Sequence, residues 1–430
     1  MRPTELTFSP FLAPLYLSGV LALAACSGPS PEPQSEAAPG AAGAATVFEG
    51  ARVIVGDDAA PIENATFVIE GNRFVAVGRA GEVAIPAGAT RVSLAGKTVM
   101  PALVDTHTHL SREREPLTKD LQHRAYFGVG AAMSLGQDDG DVIYQMRTET
   151  IPGAALYRTA GRGITAPEPG RNETPYWVKT VDETRAAVRE QAARNVDIIK
   201  VWVDDRNGTY EKLAPELYGA AIDEAHKNAL RVTAHVFYLS DAKALLRAGI
   251  DAFAHGVRDV DVDDEVIALF RERPNFVVCP NLPDRGVVQD LSWLRGSIPD
   301  ATWQQAQDAV STDRPEQQAA HAIQARNLAR LTAAGVKIVL GTDGNTPWGP
   351  HLEMADMVAA GMTPAQVITA ATRNAAEFLR LDSGTVGAGK SADFIVLDAN
   401  PLDDITNTRR IDAVYLRGER VDRDALRASW

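Results

Sequence analysis

Between Val47 and Val99 apolar and polar positions alternate over short runs broken by Gly, Asn and Pro: Arg52-Val-Ile-Val55, Thr66-Phe-Val-Ile69 and Phe74-Val-Ala-Val77. Alternation of this length predicts hairpin strands, and no helical period survives there. The same texture returns after Gly384, in Asp393-Phe-Ile-Val-Leu397 and Ala413-Val-Tyr-Leu416. Between these stretches the pattern changes. Apolar runs of strand length fall at 103–109, 128–135, 154–160, 196–203, 231–237, 251–255, 276–281 and 336–342. Amphipathic helical stretches, such as Val181–Ala193 and Pro215–Asn228, lie between several of them. Repeated strand-then-helix units predict parallel strands, and eight of them predict a (β/α)₈ TIM barrel. The expected fold is α/β: a barrel over residues 101–383, inserted between the two halves of a small β-sandwich at 46–100 and 384–430.

The first 45 residues carry no part of this pattern. Residues 11–25 are apolar but too short to span a bilayer, and they run into Leu23-Ala-Ala-Cys26, which resembles a bacterial lipobox. Residues 1–25 are therefore expected to be a signal peptide, with Cys26 lipidated as the first mature residue. Residues 26–45, rich in Pro, Ala, Gly, Ser and Glu, read as a flexible tether. A plain secretory signal is the alternative. Ser27 stands where an inner-membrane retention signal would have Asp, so the periplasmic side of the outer membrane is the expected location.

Composition narrows the function. A net charge of −13 argues against nucleic acid, whose phosphates need clustered Lys and Arg. With Cys26 taken by lipid, only Cys279 remains, so no disulfide framework holds the fold.

Candidate chemistry gathers at the C-terminal ends of the strands, where barrels carry their sites. Met100-Pro-Ala-Leu-Val-Asp-Thr-His107-Thr-His109 is an apolar strand ending in His-x-His. Alternation turns both imidazoles to one side, one pleat apart. Lys200 sits inside the apolar run 196–203; Val232-Thr-Ala-His235 and Ala252-Phe-Ala-His255 end in histidine, and Ile338-Val-Leu-Gly-Thr-Asp343 ends in a carboxylate. Each alone has an ordinary explanation: a hydrogen-bonded core histidine, a lysine snorkelling to the surface, an aspartate capping a helix. Together, four of the chain's eight histidines would stand at strand ends by accident. A metal site accounts for all six residues at once.

In order and position these six resemble the signature of the amidohydrolase superfamily in its form with two bridged metal ions. The stretch from Gly335 through Pro364-Ala-Gln366, and the closing Gly387-Ala-Gly-Lys-Ser-Ala-Asp393, resemble its imidazolonepropionase-like and Xaa-Pro dipeptidase-like branch. The resemblance covers about the whole mature chain. It implies that His107, His109 and Asp343 bind the more buried cation and that His235 and His255 bind the other. Lys200, carboxylated by carbon dioxide to a carbamate, would bridge both. Imidazole and oxygen ligands suit Zn²⁺ best, with Mn²⁺ or Co²⁺ as alternatives.

The implied activity is hydrolysis of an amide carbon–nitrogen bond. Two cations roughly 3.5–4 Å apart can share a water and bring its pKa towards about 7. The hydroxide attacks the carbonyl, with Asp343 accepting the proton and delivering it to the leaving nitrogen. The expected substrate is a small N-acyl amino acid or dipeptide. Arg162, Tyr238 and Arg258 are candidates for holding its carboxylate, with His351 lining the pocket. A cyclic amide or imide hydrolase, or a lactonase or phosphotriesterase, would use the same ions; a metal-free binding lipoprotein is the alternative outside enzymes. Relatives often form homo-oligomers, which is analogy only. Dipeptidase relatives often carry a histidine in the loop 161–177, and this chain has none there.

Overall fold

The computed structural model describes residues 45–430, so the apolar leader, Cys26 and all but the last residue of the tether lie outside the described residues. Strands from both ends of the described span form one sheet. Its order is Glu419–Arg420, Ile411–Leu416, Phe394–Leu397, Thr98–Pro101, Thr46–Val53, Ile62–Glu70, Arg73–Arg79, with Thr90–Ser93 beside Thr46–Val53. Gly50, at φ +86°, breaks the long strand Thr46–Val53, which pairs Thr90–Ser93 before the break and Thr98–Pro101 after it. Phe394 and Phe67 stand three strands apart in this order, about 14 Å in a flat sheet. Their ring centroids are 5.4 Å apart. The sheet is therefore folded onto itself as a sandwich, around Phe48, Phe67, Phe74, Phe394 and Tyr415.

The eight barrel strands are Leu103–Thr108, Val129–Ser134, Leu156–Thr159, Ile199–Val203, Val232–Val236, Ala252–Phe253, Val277–Val278 and Lys337–Ile338, called strands one to eight. Neighbours pair in parallel. Backbone bonds close the two remaining seams: Asp197 N–H donates to Thr159 O at 2.9 Å, and Thr106 N–H to Leu340 O at 3.0 Å. Such strands are buried on both faces, which is why they read as continuous apolar runs. Val104, Ala131, Met133, Ile198, Ala252, Val277 and Val339 meet inside the ring. Leu217 and Ala221 of helix Pro215–Lys227, and Leu245 and Leu246 of helix Leu239–Ala248, cover it from outside. Helix Val181–Ala193 spans the predicted residues, started by a capping box between Thr180 and Glu183.

Strands six to eight are shorter than their apolar runs. His255 lies two residues past strand six and Asp343 five past strand eight. Past strand eight the chain changes partners, Leu340 N–H donating to Ala370 O at 3.2 Å, and Asp343 itself takes φ +54°, in the left-handed region. Its N–H still donates to His107 O at 2.7 Å, tying it to strand one. The Gly- and Pro-rich stretch after strand three returns to the sheet, because Ile164 pairs Val201 of strand four and Tyr176–Trp177 pairs Ile164–Thr165.

Candidate metal centre

Strands one and eight bring three ligand atoms together. Asp343 Oδ1 lies 3.1 Å from His107 Nε2 and 2.9 Å from His109 Nε2; the three side chains offer donors within 4.8 Å of one another. Donors on a tetrahedral ion at 2.0–2.2 Å stand about 3.3–3.6 Å apart, so a cation fits here after a small outward shift. His107 Nδ1 lies 3.1 Å from Ala254 O and 2.6 Å from Asn281 Nδ2; with its proton on the carbonyl oxygen, the lone pair of Nε2 faces Asp343. Burial pushes the His107 imidazole down to about 4, more than Asp343 beside it pulls it up, so the ring is a neutral ligand at pH 7.

The remaining imidazoles continue the arc. Ring centroids are 5.3 Å apart from His109 to His107, 4.9 Å from His107 to His255, and 4.3 Å from His255 to His235. His255 Nε2 lies 3.8 Å from Asp343 Oδ2. Arg258 donates to the other ring nitrogen of His255, so a cation on Nε2 requires Arg258 to withdraw. His235 Nε2 lies 2.8 Å from Asp204 Oδ2 and 3.1 Å from Arg206 Nη1; the carboxylate can only accept, so it favours the Nε2–H tautomer, which leaves Nδ1 as the free lone pair. Burial pushes His235 down to about 3.

Lys200 is fully buried, and its Nζ has no hydrogen-bond partner. Burial lowers its ammonium to about 7, the Asp343 carboxylate pulling only partly the other way. Much of the amine is then neutral near pH 7, and a neutral amine is the form that adds carbon dioxide. The resulting carbamate would add two ligand oxygens to those of Asp343, its buried charge offset by cations. The imidazole–carboxylate donor set of His107, His109 and Asp343 fits a divalent cation, and the unpartnered Lys200 Nζ lies in the same buried pocket.

The four proposed substrate contacts fall in different places. Arg162 donates from Nε to Thr174 O at 2.6 Å and stacks on Tyr176, with its carbon 4.0 Å from the ring centroid, so it pins its own loop. Tyr238 donates to Asp205 Oδ1 at 2.8 Å, one residue from the Asp204 that holds His235. Arg258 stands at the arc itself. His351 stands apart: it is buried, with Nδ1 3.0 Å from Thr408 Oγ1 and Nε2 2.9 Å from Phe127 O, in a seam between the barrel and the C-terminal segment. Cys279 is a packed thiol, pushed far up by burial and bonded to Asn281 Oδ1 at 3.2 Å.

Sequence reading passed over three polar residues beside the arc. Asp204 follows strand four directly; Asn281, past strand seven, donates to Ala254 O at 2.5 Å. Asp138, past strand two, accepts from Ser134 Oγ at 2.6 Å and Tyr157 at 3.1 Å. All three are polar residues just past a barrel strand, and that placement was the available signal.

The profile of the amidohydrolase family matches residues 98–421. Ochratoxinase of Aspergillus niger is 27% identical over 419 residues, covering 83% of this chain and 82% of that protein. Imidazolonepropionase of Shouchella clausii is 25% identical over 420 residues, covering 85% and 88%. The crystal structure of a Xaa-Pro dipeptidase with bound methionine in the active site has a TM-score of 0.70 at 21% identity, over 88% of this chain and 99% of that one, a likeness of fold.

Proposed function

The chain belongs to the amidohydrolase family, and on that footing we propose that it hydrolyses the amide carbon–nitrogen bond of an N-acyl amino acid or dipeptide. His107, His109, Asp343, His235, His255 and a carbamate on Lys200 would hold two divalent cations, Zn²⁺ by preference, which supply a polarised carbonyl and a water acidified towards neutrality. Asp343 moves the proton. Burial alone would raise its carboxyl, but His107, His255 and His109 around it outweigh that and hold it far below the ordinary range. It is thus an anion at neutral pH, and as the base it would take a proton from the attacking water and give it to the leaving nitrogen. Arg258, once withdrawn from His255, becomes a donor for a substrate carboxylate, with Tyr238 nearby as a second.

The observation that carries this reading is Lys200. A structural lysine finds an acceptor or reaches water; this one does neither, near the imidazoles of His107 and His235 and the carboxylate of Asp343. A cyclic amide is the second reading, supported by the likeness to imidazolonepropionase. The Leu23-Ala-Ala-Cys26 sequence supports tethering through lipid on the periplasmic side of a bacterial membrane. The test is metal analysis of the purified protein, followed by a panel of N-acyl amino acids, ochratoxin-type N-acyl phenylalanines, Xaa-Pro dipeptides, hydantoin-like rings and lactones. Turnover of the acyclic amides is expected. A protein with no bound metal, or one that cleaves only lactones, contradicts the proposal.

A further inference from the structure

We propose that Asp204 is a positioning residue for the second cation: it holds the Nε2–H of His235 so that Nδ1 becomes the ligand atom, and Arg206 with Glu168 fixes Asp204 in turn. The proposal rests on the two-cation reading above.

Asp204 follows strand four directly, and His235 lies on strand five, paired in register with Trp202. The carboxylate therefore stands at the rim, just past the histidine's own rung. Both its oxygens are occupied. Oδ2 accepts from His235 Nε2 at 2.8 Å and from Arg206 Nη1 at 2.7 Å, and Oδ1 accepts from the Arg206 N–H at 3.0 Å. Its side chain is 7% exposed, so the geometry is fixed within the protein and not by solvent.

Arg206 is itself constrained. It takes φ +53° and the following Asn207 φ +58°, a left-handed pair that side-chain-bearing residues rarely adopt. Its Nε donates to Glu168 Oε1 at 3.1 Å, and Glu168, buried in the loop after strand three, also accepts from Arg171 at 2.5 Å. A strained backbone held between two carboxylates is what fixing a ligand requires. The result is an asymmetry between two histidines. His107 spends Nδ1 on a backbone carbonyl and presents Nε2; His235 spends Nε2 on Asp204 and presents Nδ1. A carboxylate on the far nitrogen sets the tautomer and raises the basicity of the coordinating one.

The experiment titrates Zn²⁺ into chelator-treated full chain, comparing wild type with Asp204→Asn, Asp204→Ala and Glu168→Gln, and reads stoichiometry and affinity by chelator competition. Wild type is expected to bind two equivalents. Asp204→Ala should weaken the second about 10–100-fold and leave the first unchanged. Asp204→Asn should fall between, and Glu168→Gln should weaken the same equivalent more mildly. Independently of any variant's folding, ¹⁵N-histidine NMR of the metal-free wild type should place the His235 proton on Nε2. A proton on Nδ1, or Asp204 variants that bind both equivalents as tightly as wild type, overturns the positioning role. Wild type binding fewer than two equivalents overturns the two-cation reading, and this inference with it.

Discussion

Gly341 passes His107 with no room for a side chain: a β-carbon there would lie 2.8 Å from His107 Cβ and closer still to Cys279 Sγ. This close approach lets the end of strand eight bond back onto strand one, and so sets Asp343 against His107. Gly341→Ala should therefore push the two strands apart. Overpacking of this kind costs about 1–3 kcal/mol. Urea unfolding should show that loss, together with weakened binding of the cation held by His107, His109 and Asp343; an Ala variant with wild-type stability and metal content would show that the approach is not needed.

Asp343→Asn separates proton transfer from structure. The amide keeps the shape and one ligand oxygen, but it cannot accept a proton at neutral pH. Metal content should hold while kcat falls by about 10²–10⁴, the range for loss of a general acid–base group. Unchanged kcat would remove Asp343 from the proton path.

Lys200→Met keeps much of the buried volume and deletes the amine. Bound metal should drop, measured by elemental analysis after dialysis. The metal-free protein carries a second signature. Lys200 titrates at about 7 when folded, against roughly 10.4 in an unfolded chain. Between those values the unfolded state holds more protons, so folding stability rises with pH across that window. Denaturant unfolding at pH 7 and pH 9.5, under chelator and free of carbon dioxide, should show a gain in the wild type that the Met variant lacks. Parallel pH dependence in both proteins would mean that the amine is not buried.

His351→Ala should cost stability and nothing else. The ring is buried and bonded at both nitrogens to Phe127 and Thr408, so its removal leaves a cavity and unpaired partners, roughly 2–4 kcal/mol together. Metal stoichiometry should be unchanged. Loss of a cation with intact folding would return His351 to the site.

The barrel could be read from the sequence because each parallel strand is a short apolar run, and the arc because its members sit at the ends of those runs. Where the chain leaves the ladder was harder to see. Nothing in Gly341-Thr342-Asp343 announces a left-handed aspartate, and the predicted strand ran one residue short of it. Asp204 and Asn281 were passed over because a single Asp or Asn after a strand is ordinary loop chemistry; only contact with a ring from another strand distinguishes them. His351 looked like a pocket residue because it follows strand eight closely, but its helix turns the ring towards Phe127 and Thr408. Such contacts join positions 57 and 224 residues apart, beyond the reach of any local pattern.

The edge-to-face contact of Phe67 with Phe394 has a consequence for how the molecule comes into being. A ribosome makes the first of these rings more than three hundred residues before the second, so the opening strands emerge with Val386, Ala392, Phe394, Val396, Ala413 and Tyr415 of their core still unwritten. Phe48, Phe67 and Phe74 can pack on one another, but the side that Phe394 and Tyr415 cover stays open until almost the entire barrel has been translated. A chain stopped short of residue 394 would leave them an exposed, sticky edge, which makes the last few dozen codons the step that completes the first domain begun.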